Sequence, residues 1–226
     1  EQYTHRERSL GFNYPHEEEQ NQRDITKKKA PSFASHKLSR DIAELRVFSN
    51  ENDERPIFII LQVHLKSQLD KEKIDPNGRL RRAAEVKMLI DTYNILNERY
   101  HKKVPIFVSG DFNGTAQRDN CDEEFEYLYM HSDLEDTLEV LNAPEDERVT
   151  LLHFAQQGKA TKLQLDYIFL PPLLFDCLDK KESGVCPYWD KNGRPISRPK
   201  QLYQRYQLPS DHYPVLVKID GFFPES

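Results

Sequence analysis

The sequence of 226 residues is poor in cysteine, glycine and net positive charge. Its three cysteines, Cys121, Cys177 and Cys186, make no CxxC pair and have no histidine at zinc-finger spacing, which argues against a structural zinc. Cys177 and Cys186 are close enough for a small loop disulfide, but free thiols are expected. Eight glycines against fourteen prolines point to long, stiff loops. No stretch approaches the ~18 consecutive apolar residues of a membrane span. Thirty-two basic against 38 acidic side chains leave a net charge of −6, so bulk electrostatics cannot hold a nucleic acid. A local basic rim and an acidic cation site both fit that balance. The opening EQYTHRERSLG is not a signal peptide, and the chain is expected to begin inside a longer domain. What the sequence does hold is 12 Phe and 11 Tyr, enough bulk for the core of one domain although 31% of residues are charged.

Residues 1–36 are polar and poorly periodic, and the acidic run Glu17–Glu19 and the basic run Lys27–Lys29 read as parts of a solvated loop. Asp41–Phe48 alternates as a half-buried strand, with Ala43, Leu45 and Val47 on one face. Ile57–Val63 is a nearly continuous apolar run, as in a central strand, and ends at His64. Leu80, Ala83, Val86, Leu89, Tyr93, Leu96 and Tyr100 repeat every three or four residues and predict an amphipathic helix. A strand follows over Val104–Ser109. Short helices are expected at Glu123–Met130 and Leu134–Leu141, the second capped by Ser132 or Asp133. Leu163–Leu170 and Tyr213–Ile219 read as strands, separated by a loop region, 171–210, rich in Pro, Lys and Tyr.

Polar clusters punctuate these strands. His64-Leu-Lys66-Ser67 and Asp111-Phe-Asn113 follow two of them; Asp166, and Ser210-Asp211-His212, precede two others. If the later pair runs antiparallel to the earlier pair in one sheet, all four clusters meet along one edge. Asp111 and Asp211 are hard oxygen ligands suited to Mg²⁺ or Mn²⁺. His64 and His212 can donate to phosphate or move protons, Asn113 offers a neutral amide, and Asp166 can hold an imidazole in one tautomer. Taken singly, each has a plainer reading: GDFN as a turn, His64 as a satisfied buried histidine. Together, with no Ser or Cys nucleophile paired to a base, they point to metal-assisted hydrolysis by water.

VHLKS at 63–67, RLRRAAEVKML at 79–89, VSGDFNGT at 108–115, TLLHF at 150–154, LDYIFL at 165–170 and SDHYPV at 210–215 resemble, in order and spacing, the endonuclease/exonuclease/phosphatase superfamily of metal-dependent phosphoesterases. The resemblance covers roughly residues 38–220, and VHLKS before an Arg/Ala-rich helix looks most like bacterial members. It implies an α/β fold, a four-layer α/β/β/α sandwich of the deoxyribonuclease-like type, with 37–222 as the C-terminal portion of the catalytic domain. It also implies roles. Asp111 positions and activates water, Asn113 orients water and phosphate, and His64 contacts the phosphate. Asp211, with Asp111, holds Mg²⁺ or Mn²⁺. His212, paired with Asp166, stabilises the transition state or acts as acid–base. Lys66 and Thr150 bind phosphate or support the site.

The family's first half supplies an Asn after one strand and a metal-binding Glu after another, and neither is matched here. A missing N-terminal half, or a second chain, is expected to cover an apolar sheet face. The leading expectation is a Mg²⁺-dependent phosphodiesterase acting on nucleic acid or another phosphodiester. The alternatives are a phosphomonoesterase of the inositol-phosphatase type, whose GDLNYR differs from GDFNGT, a lipid phosphodiesterase, and a non-catalytic remnant that binds a partner. Within 171–210, interleaved basic and aromatic residues suit a nucleic-acid strand, with Lys200 and Arg205 as phosphate contacts.

Overall fold

The computed structural model describes residues 1–31, 35–155 and 160–222. In chain order the elements are β1 (Gln2–Thr4), α1 (Pro15–Thr26), β2 (Ile42–Val47), β3 (Phe58–His64), α2 (Arg79–Arg99), β4 (Ile106–Asp111), α3 (Glu126–His131), β5 (Glu135–Asp136), α4 (Thr137–Val140), β6 (Leu151–Phe154), β7 (Ala160–Leu163), β8 (Asp166–Leu170), β9 (Gly184–Val185), α5 (Leu202–Arg205) and β10 (Val215–Leu216). Six strands form one mixed sheet in the order β1-β2-β3-β4-β8-β5. β3 and β4 are parallel, because α2 carries the chain back between them, and the other pairs are antiparallel. β6–β7 and β9–β10 are separate two-stranded sheets. The class is α/β, as expected. Among the described residues, the second layer of strands is represented only by these two small pairs.

The two faces of the large sheet differ. Ile59, Leu61 and Val63 of β3 and Ile106 and Val108 of β4 are buried, in one core with Val86, Leu89, Ile90, Tyr93 and Leu96 of α2. The residues between them, Ile60, Phe107 and Ile168, lie on the other face and are only half-buried. There a smaller cluster of Leu170, Leu174 and Leu178 packs with Phe107, Ile168, Val217 and Ile219. The run IFIILQV is therefore an alternating strand that is sealed on one side.

Several expectations change. Segment 1–36 is not all loop: β1 extends the sheet by pairing with β2, and α1 takes in Glu17–Glu19; residues 32–34 lie outside the described residues. In β2 it is Ile42 and Glu44, rather than Ala43, Leu45 and Val47, that are buried. Glu44 tolerates this because His5 and Arg46 both reach its carboxylate. Leu134–Leu141 divides into β5 and α4, and Asp136, not Ser132 or Asp133, caps α4 by accepting from Leu138 N. The last strand shrinks to Val215–Leu216, paired with β9. All three cysteines are free. Among the described residues no helix is long and apolar enough to cross a membrane.

Candidate active site

Strand register builds the site. His64 ends β3, Asp111 ends β4 and Asp166 opens β8, and the pairings His64↔Asp111 and Asp111↔Asp166 put all three in one row across the sheet. Residues in one row share a face, so the side chains emerge together. Gly110 makes the row possible. Its φ is 140°, and a Cβ there would fall 1.8 Å from Val63 O, so no other residue fits before Asp111. The fourth cluster arrives from outside the sheet. Tyr213 N donates to Thr150 O at 2.7 Å, and a bridge joins Leu151 to His212. His212 Nδ1 then meets Asp166 Oδ2 at 2.7 Å. At the other end of the row, His64 Nε2 lies 3.3 Å from Asp111 Oδ2. The result is two imidazole–carboxylate pairs, side by side.

The turn after β4 serves two purposes. Asn113 N donates to Asp111 Oδ1 at 2.8 Å, an Asx turn, and Asn113 takes the left-handed conformation at φ 53° that Asn tolerates. Its Nδ2 donates to Leu65 O at 3.1 Å, tying this turn to the segment after His64. The turn reading and the site reading of GDFN hold together.

Burial raises the Asp111 carboxyl, and nearby Asp166 adds to this, against the hydrogen bond from Asn113 N. Burial also lowers His64, opposed by Asp111 and reinforced by Arg40 and His212. His212 is raised, chiefly by its hydrogen bond to Asp166. For Asp211, burial pushes upward, but its own backbone N–H and Arg205 outweigh it and hold the carboxyl low.

The remaining expected contacts sort differently. Thr150 is fully buried, and its Oγ1 accepts from Leu165 N at 2.9 Å and Asp166 N at 3.1 Å. Its hydroxyl is thus taken up by the two backbone N–H groups at the start of β8. The Lys66 ammonium donates to Ser67 O and Leu69 O within its own loop. Arg205 is spent on Asp211. Lys200 is exposed, and its backbone N–H donates to Gln204 Oε1. Asp111 and Asp211 have the hard-oxygen chemistry of Mg²⁺ ligands. Among the described residues, though, no group of three or more His, Cys, Asp or Glu is arranged to hold a metal ion.

Two neighbours were not anticipated. Arg40 donates to Leu65 O at 3.1 Å and acts on the charge of His64. It precedes β2, whose Ile42 pairs with Val63, so the strand-direction logic that located Asp166 also reaches it. Tyr188 OH donates to His212 O at 2.5 Å; it belongs to the basic and aromatic loop region 171–210 expected near the site, though not in this role.

No protein-family model matches the chain, and no curated protein matches it. Among solved structures, an endonuclease/exonuclease/phosphatase family protein from Bacteroides thetaiotaomicron superposes with a TM-score of 0.46 at 17% identity, over 83% of this chain and 59% of that one. The human Nocturnin catalytic domain with bound sulfate gives 0.46 at 17% identity, over 79% and 48%. Truncated Caenorhabditis elegans TDP2 gives 0.43 at 17%, over 69% and 52%. The chain thus spans about half to three-fifths of the length of these structures. Superpositions at this level bear on neither activity nor substrate, which are read from the site's own residues.

Proposed function

We propose that this chain carries the catalytic row of a phosphoesterase of the endonuclease/exonuclease/phosphatase kind, which hydrolyses phosphodiester bonds of nucleic acid with water as nucleophile. The observation that carries this reading is the row His64–Asp111–Asp166, closed by His212 on Asp166 at 2.7 Å. Among the described residues no Ser or Cys side chain bonds to either imidazole, so attack by a held water is the simplest route.

Asp111 holds and deprotonates the water. Its raised pKa makes it a better base than an ordinary carboxylate, and Asn113 N–H fixes one of its oxygens. His212, raised by Asp166, stays protonated further towards neutral pH. With Nδ1 held by Asp166, its Nε2–H is presented to the phosphoryl or leaving oxygen. His64 has Nε2 3.3 Å from Asp111 Oδ2, so its neutral form, favoured by burial, serves that carboxylate with its one N–H, and it donates to the phosphate from Nδ1 when protonated. Asp211 would supply a carboxylate to a Mg²⁺ or Mn²⁺ ion, which when bound neutralises charge on the phosphate.

Nucleic acid is favoured by the surface beside Asp211. Tyr203 and Tyr206 are 59% and 72% exposed on and just after α5, one helical step apart, and the Arg205 guanidinium lies 5.9 Å from the Tyr206 ring. Exposed rings at i and i+3 share a face and suit unpaired bases.

The test is hydrolysis with Mg²⁺, Mn²⁺ or EDTA of single- and double-stranded DNA, RNA, abasic DNA, inositol phosphates and sphingomyelin. Cation-dependent cleavage of a nucleic acid, abolished in Asp111→Asn and His212→Ala with both variants still folded, is expected. Near-full activity in either variant removes that residue from the scheme. Turnover of inositol phosphates alone replaces this reading with a phosphomonoesterase.

A further inference from the structure

Helix α2 buries two charges that the hydrolytic scheme does not use. Arg82 and Glu85 are each only 1% exposed. Glu85 Oε2 accepts from Lys66 N at 2.6 Å, while its Oε1 accepts from Ser39 N at 2.7 Å. Arg82 Nη1 donates to Lys66 O at 2.8 Å and to Asn77 O at 3.1 Å. Residue 66 is therefore gripped at both of its backbone polar atoms, two positions after His64.

The same guanidinium reaches the other half of the site. Arg82 Nε and Nη2 donate to Glu124 Oε1 at 3.1 and 2.5 Å, and Arg79 Nε donates to Glu124 Oε2 at 3.0 Å. Glu124 lies in the turn that ends in Phe125, and Phe125 packs tightly on Gly114. A Cβ at Gly114 would fall 2.7 Å from the Phe125 ring and 3.3 Å from Arg82 Nε. Arg82 thus touches the chain that follows His64 and lies beside the turn that follows Asp111, which it reaches through Glu124 and Phe125.

Stability alone does not call for this arrangement. Buried ion pairs can often be exchanged for apolar packing without loss, because desolvation offsets the attraction. The rest of α2 seals its sheet face with Val86, Leu89, Ile90, Tyr93 and Leu96. What a forked guanidinium and a two-oxygen carboxylate provide, and apolar packing does not, is a fixed distance between named backbone atoms.

We propose that Arg82 and Glu85 are positioning residues: Glu85 pins the 64–66 segment to α2, Arg82 ties that segment through Glu124 to the 111–114 turn, and together they set the His64–Asp111 spacing. The clamp rests on the geometry above; its catalytic consequence rests on the phosphoesterase reading.

The test uses Glu85→Gln and Arg82→Lys in the whole chain, with Leu96→Ala, three turns further along α2, as a control that weakens the core away from the site. Gln puts a donor where one of two acceptors stood, and a single ammonium cannot replace the fork. All three are compared at a temperature where each is folded. Hydrogen exchange at 64–68 and 111–116 is expected to speed up in the two test variants, with little change across the rest of the sheet. With bis(p-nitrophenyl) phosphate as substrate, kcat falls about tenfold to a hundredfold while KM holds, the scale of a misplaced reacting group. Leu96→Ala keeps kcat and leaves those two segments protected. Exchange that rises uniformly over the sheet, or not at all, overturns the clamp. So does a kcat loss no larger than that of Leu96→Ala. If the unmodified chain turns over no phosphodiester under any condition, the phosphoesterase reading fails by itself, and local exchange still decides whether Arg82 and Glu85 hold the two segments together.

Discussion

Arg205 forms an ion pair with Asp211, the residue immediately before His212. A carboxylate expected to hold a divalent cation is thus matched with a guanidinium. Arg205→Ala frees that carboxylate, and binding of Mn²⁺, followed by calorimetry, is expected to tighten several-fold. The pair is partly exposed, so the melting temperature should hardly move. Affinity unchanged from the parent chain takes Asp211 out of the ligand set.

Asp166→Asn removes the acceptor that raises His212. Burial then acts without that opposition, and the His212 pKa is expected to drop below its present raised value in an NMR titration of the ring protons. The sign for stability follows from the direction of the shift. The pairing contributes fully below the ordinary histidine pKa, near 6.5, and its contribution is lost as pH rises through the raised folded value. The variant should therefore lose more stability at pH 5 than at pH 9. Equal losses at both would mean that His212 is not charged in the pair.

Thr150→Val keeps the shape of a fully buried side chain but strands two backbone N–H groups, those of Leu165 and Asp166. Each buried orphan donor costs about 1–3 kcal/mol. A drop of that order in urea unfolding is expected, with a fall in kcat because Asp166 loses its anchor, and Thr150→Ser should restore both. A raised KM with normal stability would instead return Thr150 to the substrate contacts.

Asp136 is fully buried, and burial lifts its carboxyl to about 7, against the hydrogen bonds from Gln164 and Leu138 N. The folded chain then holds a proton that the unfolded chain releases near pH 4, so stability falls as pH climbs from about 4 to 7, by an amount on the order of a few kcal/mol. Asp136→Asn is expected to flatten that slope in denaturation curves taken at pH 5, 6, 7 and 8. The same slope in the variant would show that Asp136 titrates normally.

Much of the site could be read from the sequence because strand ends are local events. An apolar run that stops at a polar cluster marks where a chain leaves a sheet, and parallel β3 and β4 with antiparallel β8 bring three such points into one row. The fourth came by another route. His212 is not on the large sheet; Tyr213 N on Thr150 O and the Leu151–His212 bridge hook its segment beside the start of β6, next to Asp166. Long cations were the least legible. A lysine or arginine spans several residues of space, and its partner is whichever group folding brings near. Lys66 turned back on its own loop, and Arg205 took Asp211.

By itself the sequence determined the long helix, the existence of β3 and β4 and the placing of His64, Asp111 and Asp166 at strand termini, since period and punctuation are properties of neighbouring residues, whereas the sealing of β3 on one face only was decided by the fold. Only the tertiary structure decided which face of β2 is buried, that Thr150 serves the backbone, and that Arg82 and Glu85 bind the backbone of Lys66 from helix α2. Each of those depends on a contact between residues far apart in the chain, such as His5 with Glu44 or Arg82 with Glu124, and no local pattern encodes the partner.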